Sequence, residues 1–191
     1  MPRVVSGKCR GTVLEAPKGD ATRPTTDKVK EAIFSSIQMR VPGSAFLDVF
    51  SGTGQMAIEA LSRGAESAVL IDQAGKSQQV IARNLEKTHL KEQARPMKMA
   101  FAEAMKLLGK KGESFDIIFM DPPYAMASAF AKTASELIKE YGLLSEGGIF
   151  IVESDADTEI KEIVTNMTCL KSCKYGATLV TFFLESETMC E

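Results

Sequence analysis

The sequence holds a single histidine, His89, and only four cysteines, Cys9, Cys169, Cys173 and Cys190. A zinc site draws its ligands as close pairs, about two to four residues apart, on both halves of the site. Only Cys169 and Cys173 are close here and no second pair answers them, so no metal site is expected and the thiols are read as reduced and structural. Long apolar runs are also missing. The stretch from Ile117 to Met120 falls far short of the roughly 20 residues that a membrane span needs, so no membrane contact is expected. Met1-Pro2-Arg3-Val4-Val5 lacks the apolar core and small-residue cleavage site of an export signal, so a cytoplasmic location is expected. Repeats and low-complexity tracts are absent as well. What remains is 191 residues, 45% hydrophobic and 25% charged, which is the composition of a globular chain able to cover a sheet of about five to seven strands.

The near-neutral total of 23 Lys and Arg against 25 Asp and Glu hides a gradient. Residues 1–40 hold eight bases and four acids, residues 41–144 twelve of each, and residues 145–191 three bases and nine acids. Contact with a polyanion depends on clustered cations more than on overall pI, so the basic end is where nucleic acid would be met. Its candidates are Arg3, Lys8, Arg10 and Lys28; the first three precede any acid and sit on an element with too few apolar residues to be core.

Periodicity orders the rest. Val4-Val5 and Thr12-Val13-Leu14 flank a basic turn punctuated by Gly7 and Gly11 and read as a short hairpin. Val29, Ile33 and Ile37 recur on a helix from about Asp27 to Met39. After Pro42-Gly43 the pattern becomes strand then helix, repeatedly. Strands are expected at Ala45 to Phe50, Ala68 to Asp72, Pro96 to Ala100, Phe115 to Met120 and Ile149 to Glu153. Helices are expected at Gln55 to Arg63, Gly75 to Lys87, Glu103 to Leu108 and Ser128 to Tyr141, and an antiparallel pair, Cys169 to Lys174 with Thr178 to Leu184, closes the chain. Unbroken apolar strands alternating with helices predict an open α/β sheet covered on both faces. In such sheets ligands bind beyond the carboxyl ends of the strands.

Three strand ends are polar in a patterned way. In Asp48-Val49-Phe50-Ser51-Gly52-Thr53-Gly54, two glycines permit a tight turn and a close backbone approach to a ligand, and the next helix turns its free N–H groups toward it. A dinucleotide suits such a loop too, but a carboxylate at Asp48 suits a cationic amino group and would repel a pyrophosphate. Asp72 can accept both hydroxyls of a ribose, or cap the following helix. Glu103-Ala104 could accept from an adenine amino group, or merely favour a first helical turn. Asp121-Pro122-Pro123-Tyr124 directly follows the strongest strand: the prolines stiffen the turn, the Asp121 carboxylate and the Pro122 carbonyl make a pair of acceptors, and Tyr124 offers an aromatic face. Such a socket suits a planar group bearing an exocyclic amine.

Asp48-x-x-x-Gly52-x-Gly54, Asp72 and Asp121-Pro122-Pro123-Tyr124 resemble the motifs of S-adenosylmethionine-dependent amino-group methyltransferases. With Arg3 to Gly11, Arg23-Pro24-Thr25-Thr26-Asp27-Lys28-Val29-Lys30-Glu31 and Glu59-Ala60-Leu61-Ser62-Arg63-Gly64-Ala65, the chain resembles the bacterial RsmD family over nearly its whole length. Asp72 and Glu103 depart from the family's usual residues, yet each keeps an acceptor. The resemblance implies a Rossmann-like seven-stranded class I methyltransferase sheet, mostly parallel with a reversed last strand, plus the small N-terminal β-hairpin. It implies an extension over residues 1–40 that contacts RNA and cofactor, and a methyltransferase domain over residues 41–191. It implies S-adenosylmethionine held by Asp48, Ser51, Gly52, Gly54, Asp72, Glu103, Ala104, Arg23 and Thr25, with Asp121, Pro122, Pro123 and Tyr124 catalytic. The implied reaction is direct in-line methylation of N2 of one guanine in 16S ribosomal RNA, free or in the small-subunit particle, by a monomer. DNA adenine and protein glutamine are alternative acceptors for the same socket, and an RNA-binding assembly factor without activity is a third reading.

Overall fold

A computed structural model describes residues 1–16 and 25–186. It divides into two compact units, Met1–Ala104 and Met105–Glu191. In the first, β1 (Ala45–Asp48) pairs in parallel with β2 (Ser67–Ile71), and β2 with β3 (Ala94–Met97), so that Asp48 lies level with Leu70 and Ile71 with Met97. Helices α1 (Asp27–Ser36), α2 (Gln55–Ser62) and α3 (Gly75–Lys87) alternate with these strands. Helix α1 starts where Thr26 Oγ1 accepts the Val29 N–H at 3.3 Å, with Asp27 in the first turn complementing the helix dipole. Every residue of α2 is buried, the polar Gln55, Glu59 and Ser62 together with five apolar residues. Phe34 stacks on Phe46 with ring centroids 6.3 Å apart, in a core that also holds Ile33, Leu47, Ile58 and Leu61.

The amino-terminal hairpin is present as a single antiparallel bridge, Arg3 to Val13. Val4 N–H donates to Thr12 O at 2.9 Å and Leu14 N–H to Pro2 O at 2.8 Å, while Val4 and Leu14 themselves are core residues. Gly7 is what lets this element lie against α2: a Cβ built there would stand 1.8 Å from Ser62 O.

In the second unit, β4 (Phe115–Met120) runs parallel to β5 (Leu144–Asp155). Strand β7 (Thr178–Glu185) is antiparallel both to β5 and to β6 (Met167–Tyr175). Helix α4 (Phe101–Lys110) starts in the first unit and ends in the second; α5 (Ala127–Tyr141) precedes β5 and a single turn, α6 (Ile160–Ile163), follows it. The core here is Ile117, Ile118, Phe119, Ile138, Phe150, Ile151, Phe182 and Phe183. The strand order is β3-β2-β1-β4-β5-β7-β6 in one seven-stranded sheet with the last strand reversed.

Several elements depart from the sequence expectation, α1 and β1 by ending early, at Ser36 and Asp48 where about Met39 and Phe50 were expected. Strand β3 spans Ala94–Met97, not Pro96 to Ala100, because its limits follow from pairing with Ala68 to Ile71 of β2; Arg95 and Pro96 are exposed, so no apolar run marks it. Helix α4 therefore starts at Phe101, two residues early. Strand β5 begins at Leu144, since Leu144 pairs with Phe115 and the register shift before Ile149 absorbs Gly147-Gly148 inside the strand.

Candidate functional site: a glycine loop and an Asp-Pro-Pro-Tyr turn

The loop after β1 is held from three sides. Ser51 N–H donates to Ile71 O at 2.9 Å, Ser51 Oγ donates to Asp48 O at 3.0 Å, and Gly54 N–H closes the turn on Ser51 O at 2.6 Å. Gly52 and Gly54 have φ of +53° and +79°, a region costly for other residues, and Gly54 caps α2. Asp48, which ends β1, is buried together with Ser51.

Asp72, just past β2, ties this loop to the next. Its Oδ2 accepts the Gly52 N–H at 3.0 Å and its Oδ1 the Ala74 N–H at 2.8 Å, while Gln78 Nε2 donates to the Asp72 carbonyl at 2.8 Å. A carboxylate can accept about four hydrogen bonds, so these two leave capacity for a diol. Glu103 is exposed in the first turn of α4, whereas Ala104 is buried and its N–H is donated to Ala100 O at 3.0 Å. Thr25 is buried, and its carbonyl accepts from Gln55 Nε2 at 3.4 Å. Arg23 lies outside the described residues.

In the second unit, Asp121-Pro122-Pro123-Tyr124 leaves the carboxyl end of β4. Asp121 is half-buried and Pro122 buried. Pro123 is extended, with φ −52° and ψ 128°, and its carbonyl accepts the Met126 N–H at 2.8 Å in a short 3-10 turn. That turn leaves Tyr124 41% and Met126 43% exposed, which gives the strand end a solvent-facing aromatic surface.

The family described as Conserved hypothetical protein 95 matches residues 2–184. "Putative rRNA methyltransferase YlbH" of Bacillus subtilis (strain 168) is 38% identical over 181 residues, 95% of this chain and 97% of that protein. "Ribosomal RNA small subunit methyltransferase D" of Escherichia coli (strain K12) is 31% identical over 164 residues, 86% of this chain and 80% of that protein. The chain belongs to the RsmD family. Among solved structures, "Putative methyltransferase yhhF from Escherichia coli" superposes with a TM-score of 0.82 at 29% identity, covering 97% of this chain and 98% of that one. The seven-stranded fold is therefore a class I methyltransferase fold, and the RsmD family is one of S-adenosylmethionine-dependent enzymes.

Two residues in this RsmD-family chain shape the loop without having been legible as site residues. Asn84 of α3 is fully buried; its Nδ2 donates to Thr53 O at 2.9 Å and to Glu15 O at 3.1 Å, and its Oδ1 accepts the Glu15 N–H at 2.8 Å. It thus fixes the middle of the glycine loop to α3 and to the amino-terminal segment. Gln55, the first residue of α2, links the same loop to Thr25. A position one residue beyond the Gly-x-Gly pair was the available signal for Gln55; Asn84 carried none.

Proposed function

We propose that this protein methylates the exocyclic amino group, N2, of a guanine in 16S ribosomal RNA, in the free RNA or the small-subunit particle. The observation that carries the reading is the Asp121-Pro122-Pro123-Tyr124 turn at the carboxyl end of β4, with a half-buried carboxylate and an exposed aromatic ring three residues apart. The names of the relatives, which specify ribosomal RNA and in one case the small subunit, support the choice of nucleic acid.

The glycine loop fits S-adenosylmethionine. A Cβ added at Gly52 would meet nothing within 4 Å, so open space lies over the loop at the one residue whose N–H is already oriented by Asp72. Asp48, Ser51, Gly52, Gly54 and Thr25 would hold the amino-acid portion with Arg23, Asp72 the ribose, and Glu103 with Ala104 the adenine. The cofactor, when bound, supplies a methyl group made electrophilic by its sulfonium.

The chain's own residues supply the other half. An aromatic amine is a poor nucleophile because its lone pair is delocalised into the ring. Asp121 and the Pro122 carbonyl accept hydrogen bonds from that amine, favour a pyramidal nitrogen and stabilise the positive charge that develops on it; these interactions strengthen toward the transition state. No strong base is required. Orientation for in-line attack contributes on the order of 7–11 kcal/mol in effective concentration. Tyr124 stacks on the extruded base, a contact worth about 1–3 kcal/mol. In this reading residues 1–40 form the RNA-contacting extension, with Arg3, Lys8, Arg10 and Lys28 on phosphates, residues 41–191 form the methyltransferase domain, and the protein acts as a monomer.

Replacing Asp121 with alanine tests the socket. Methyl transfer to RNA is expected to be lost while S-adenosylmethionine affinity, read by calorimetry, stays within a few-fold of the original. Near-normal turnover in Asp121→Ala would end the amino-acceptor reading.

A further inference from the structure

Residues 1–40 are not the only basic stretch of the first unit. Residues 76–98 hold six bases (Lys76, Arg83, Lys87, Lys91, Arg95 and Lys98) against two acids, Glu86 and Glu92, an excess diluted in sequence by the balanced region around it. Three hydrogen bonds seat the hairpin on the corner where α3 ends. Lys8 Nζ donates to Gln93 Oε1 at 2.8 Å, Cys9 Sγ to Thr88 O at 3.4 Å, and Lys87 Nζ to Val13 O at 2.7 Å.

The partners chosen differ along this surface. Arg3 and Arg83 are neutralised by Asp27 at 2.9 Å and by Glu15 at 2.7 Å. Lys8 and Lys87 instead donate to neutral oxygens, which use one of three ammonium donors and leave the charge uncompensated. Arg10 and Lys91 are exposed beside them in sequence.

His89 sits on the same corner in a costly conformation. The His89 N–H donates to Glu86 O at 3.1 Å and the Leu90 N–H to Leu85 O at 3.0 Å, which is the helix-ending pattern that places its second-to-last residue in the left-handed region. That residue is usually glycine; here it is histidine, at φ +57°, the only described non-glycine residue with positive φ, and it is exposed. Histidine is one of the few non-glycine residues that enter this region, and an exposed side chain held there is a starting point for a functional hypothesis, since its imidazole offers a planar face to a partner outside the chain.

We infer that the hairpin tip and the α3 corner form one RNA-binding surface, in which Lys8, Arg10, Lys87 and Lys91 take phosphates and His89 stacks against an unpaired base. The inference rests on the RNA reading above and moves the weight of the surface away from Arg3, which is already paired. It gives the RNA two chain segments to cross, 8–10 and 87–91, joined by the bonds named.

The test is a fluorescence titration of the full chain with a labelled RNA stem-loop at several salt concentrations, alongside cofactor calorimetry and thermal unfolding. Lys87→Ala/Lys91→Ala is expected to weaken binding and to flatten the slope of log affinity against log salt by about 1.4, or about 0.7 per phosphate on a single strand. Lys91→Ala alone, which breaks none of the three seating bonds, should give half of that change. His89→Gly should weaken binding several-fold while its melting temperature equals or exceeds that of the original. S-adenosylmethionine affinity should be unchanged throughout. If Lys8→Ala/Arg10→Ala flattens the slope and the corner variants do not, the surface stops at the hairpin and the inference fails while the RNA reading stands. If the unsubstituted protein binds no RNA, the underlying reading fails first. A corner variant that changes the sedimenting mass and leaves RNA affinity alone would assign the surface to a second copy of the chain and overturn the inference.

Discussion

At Gly52 a positive φ, an N–H held by Asp72 and open space beyond the missing Cβ coincide. Valine there would strain the backbone and enter that space. Gly52→Val is expected to lower S-adenosylmethionine affinity on the order of tenfold or more, the equivalent of one residue held in an unfavourable region. Calorimetry on a variant with an unchanged circular dichroism spectrum checks it, and equal affinity would place the ligand elsewhere. A second residue-scale prediction concerns acid stability. The Thr158 hydroxyl donates to Asp155 Oδ2 at 2.5 Å and the Asp157 N–H to Oδ1 at 3.1 Å, and the first of these chiefly holds the Asp155 carboxyl below its ordinary value of 3.8 against the opposing effect of burial. A folded pKa below the unfolded one means stability present above about 3.8 and lost as pH falls through the lower, folded value. Asp155→Asn should therefore lose less stability than the original between neutral pH and the acid limb, as read from urea midpoints; parallel curves would contradict it. That Asp48, Gly52 and Asp72 stand at or just past the ends of β1 and β2 was legible in sequence, because the strands before them are unbroken apolar runs. Asn84 was not, because its partner Glu15 is 69 residues away and nothing local separates a buried bridging asparagine from an exposed one.

Among the elements, α2 has the most concentrated polar investment. Glu59, fully buried, accepts the Val5 and Ser6 N–H groups at 2.8 and 2.9 Å and pairs with Arg63 at 2.8 Å and Lys30 at 3.5 Å. Lys30, also fully buried, donates to the Arg3 carbonyl, and Arg63 lies 4.8 Å over the Phe34 ring. Burial pushes the Lys30 ammonium below its usual pKa, and Glu59 and Asp27 oppose that shift. Removing one member of a buried cluster costs more than the cluster contributes, because the remaining charge is left without compensation. Glu59→Ala is expected to destabilise the protein by about 3–5 kcal/mol in denaturant titration. A loss below about 1 kcal/mol would mean that water reaches the cluster. The hairpin's position on α2 follows from this cluster, which makes it the device that sets where Lys8 and Arg10 stand. Helix α3, strand β4 and helix α5 were legible nearly to the residue because their periodicity is unbroken. Strand β3 was displaced since an edge strand with Arg95 and Pro96 exposed carries no apolar signal, and α6 went unread because one turn is shorter than the helical repeat that pattern reading needs.

For the whole molecule, alternation of strand and helix was enough to predict the open sheet and the pattern showed an antiparallel pair at the carboxyl end, while the reversal of the last strand within that sheet was what the family resemblance implied. The charge gradient was readable only in part, because the basic stretch at residues 76–98 averages away along the chain and becomes a surface only when the hairpin folds onto it. The central claim is that this RsmD-family enzyme places a methyl group on the amino nitrogen of a guanine in RNA. The direct measurement incubates the full chain and tritiated-methyl S-adenosylmethionine with undermethylated RNA, assembled small-subunit particles, DNA and protein, followed by digestion and chromatography of the labelled product. The account predicts label in N2-methylguanosine from RNA or from the particle. Label in methyladenine from DNA, or in methylated glutamine from protein, would contradict it.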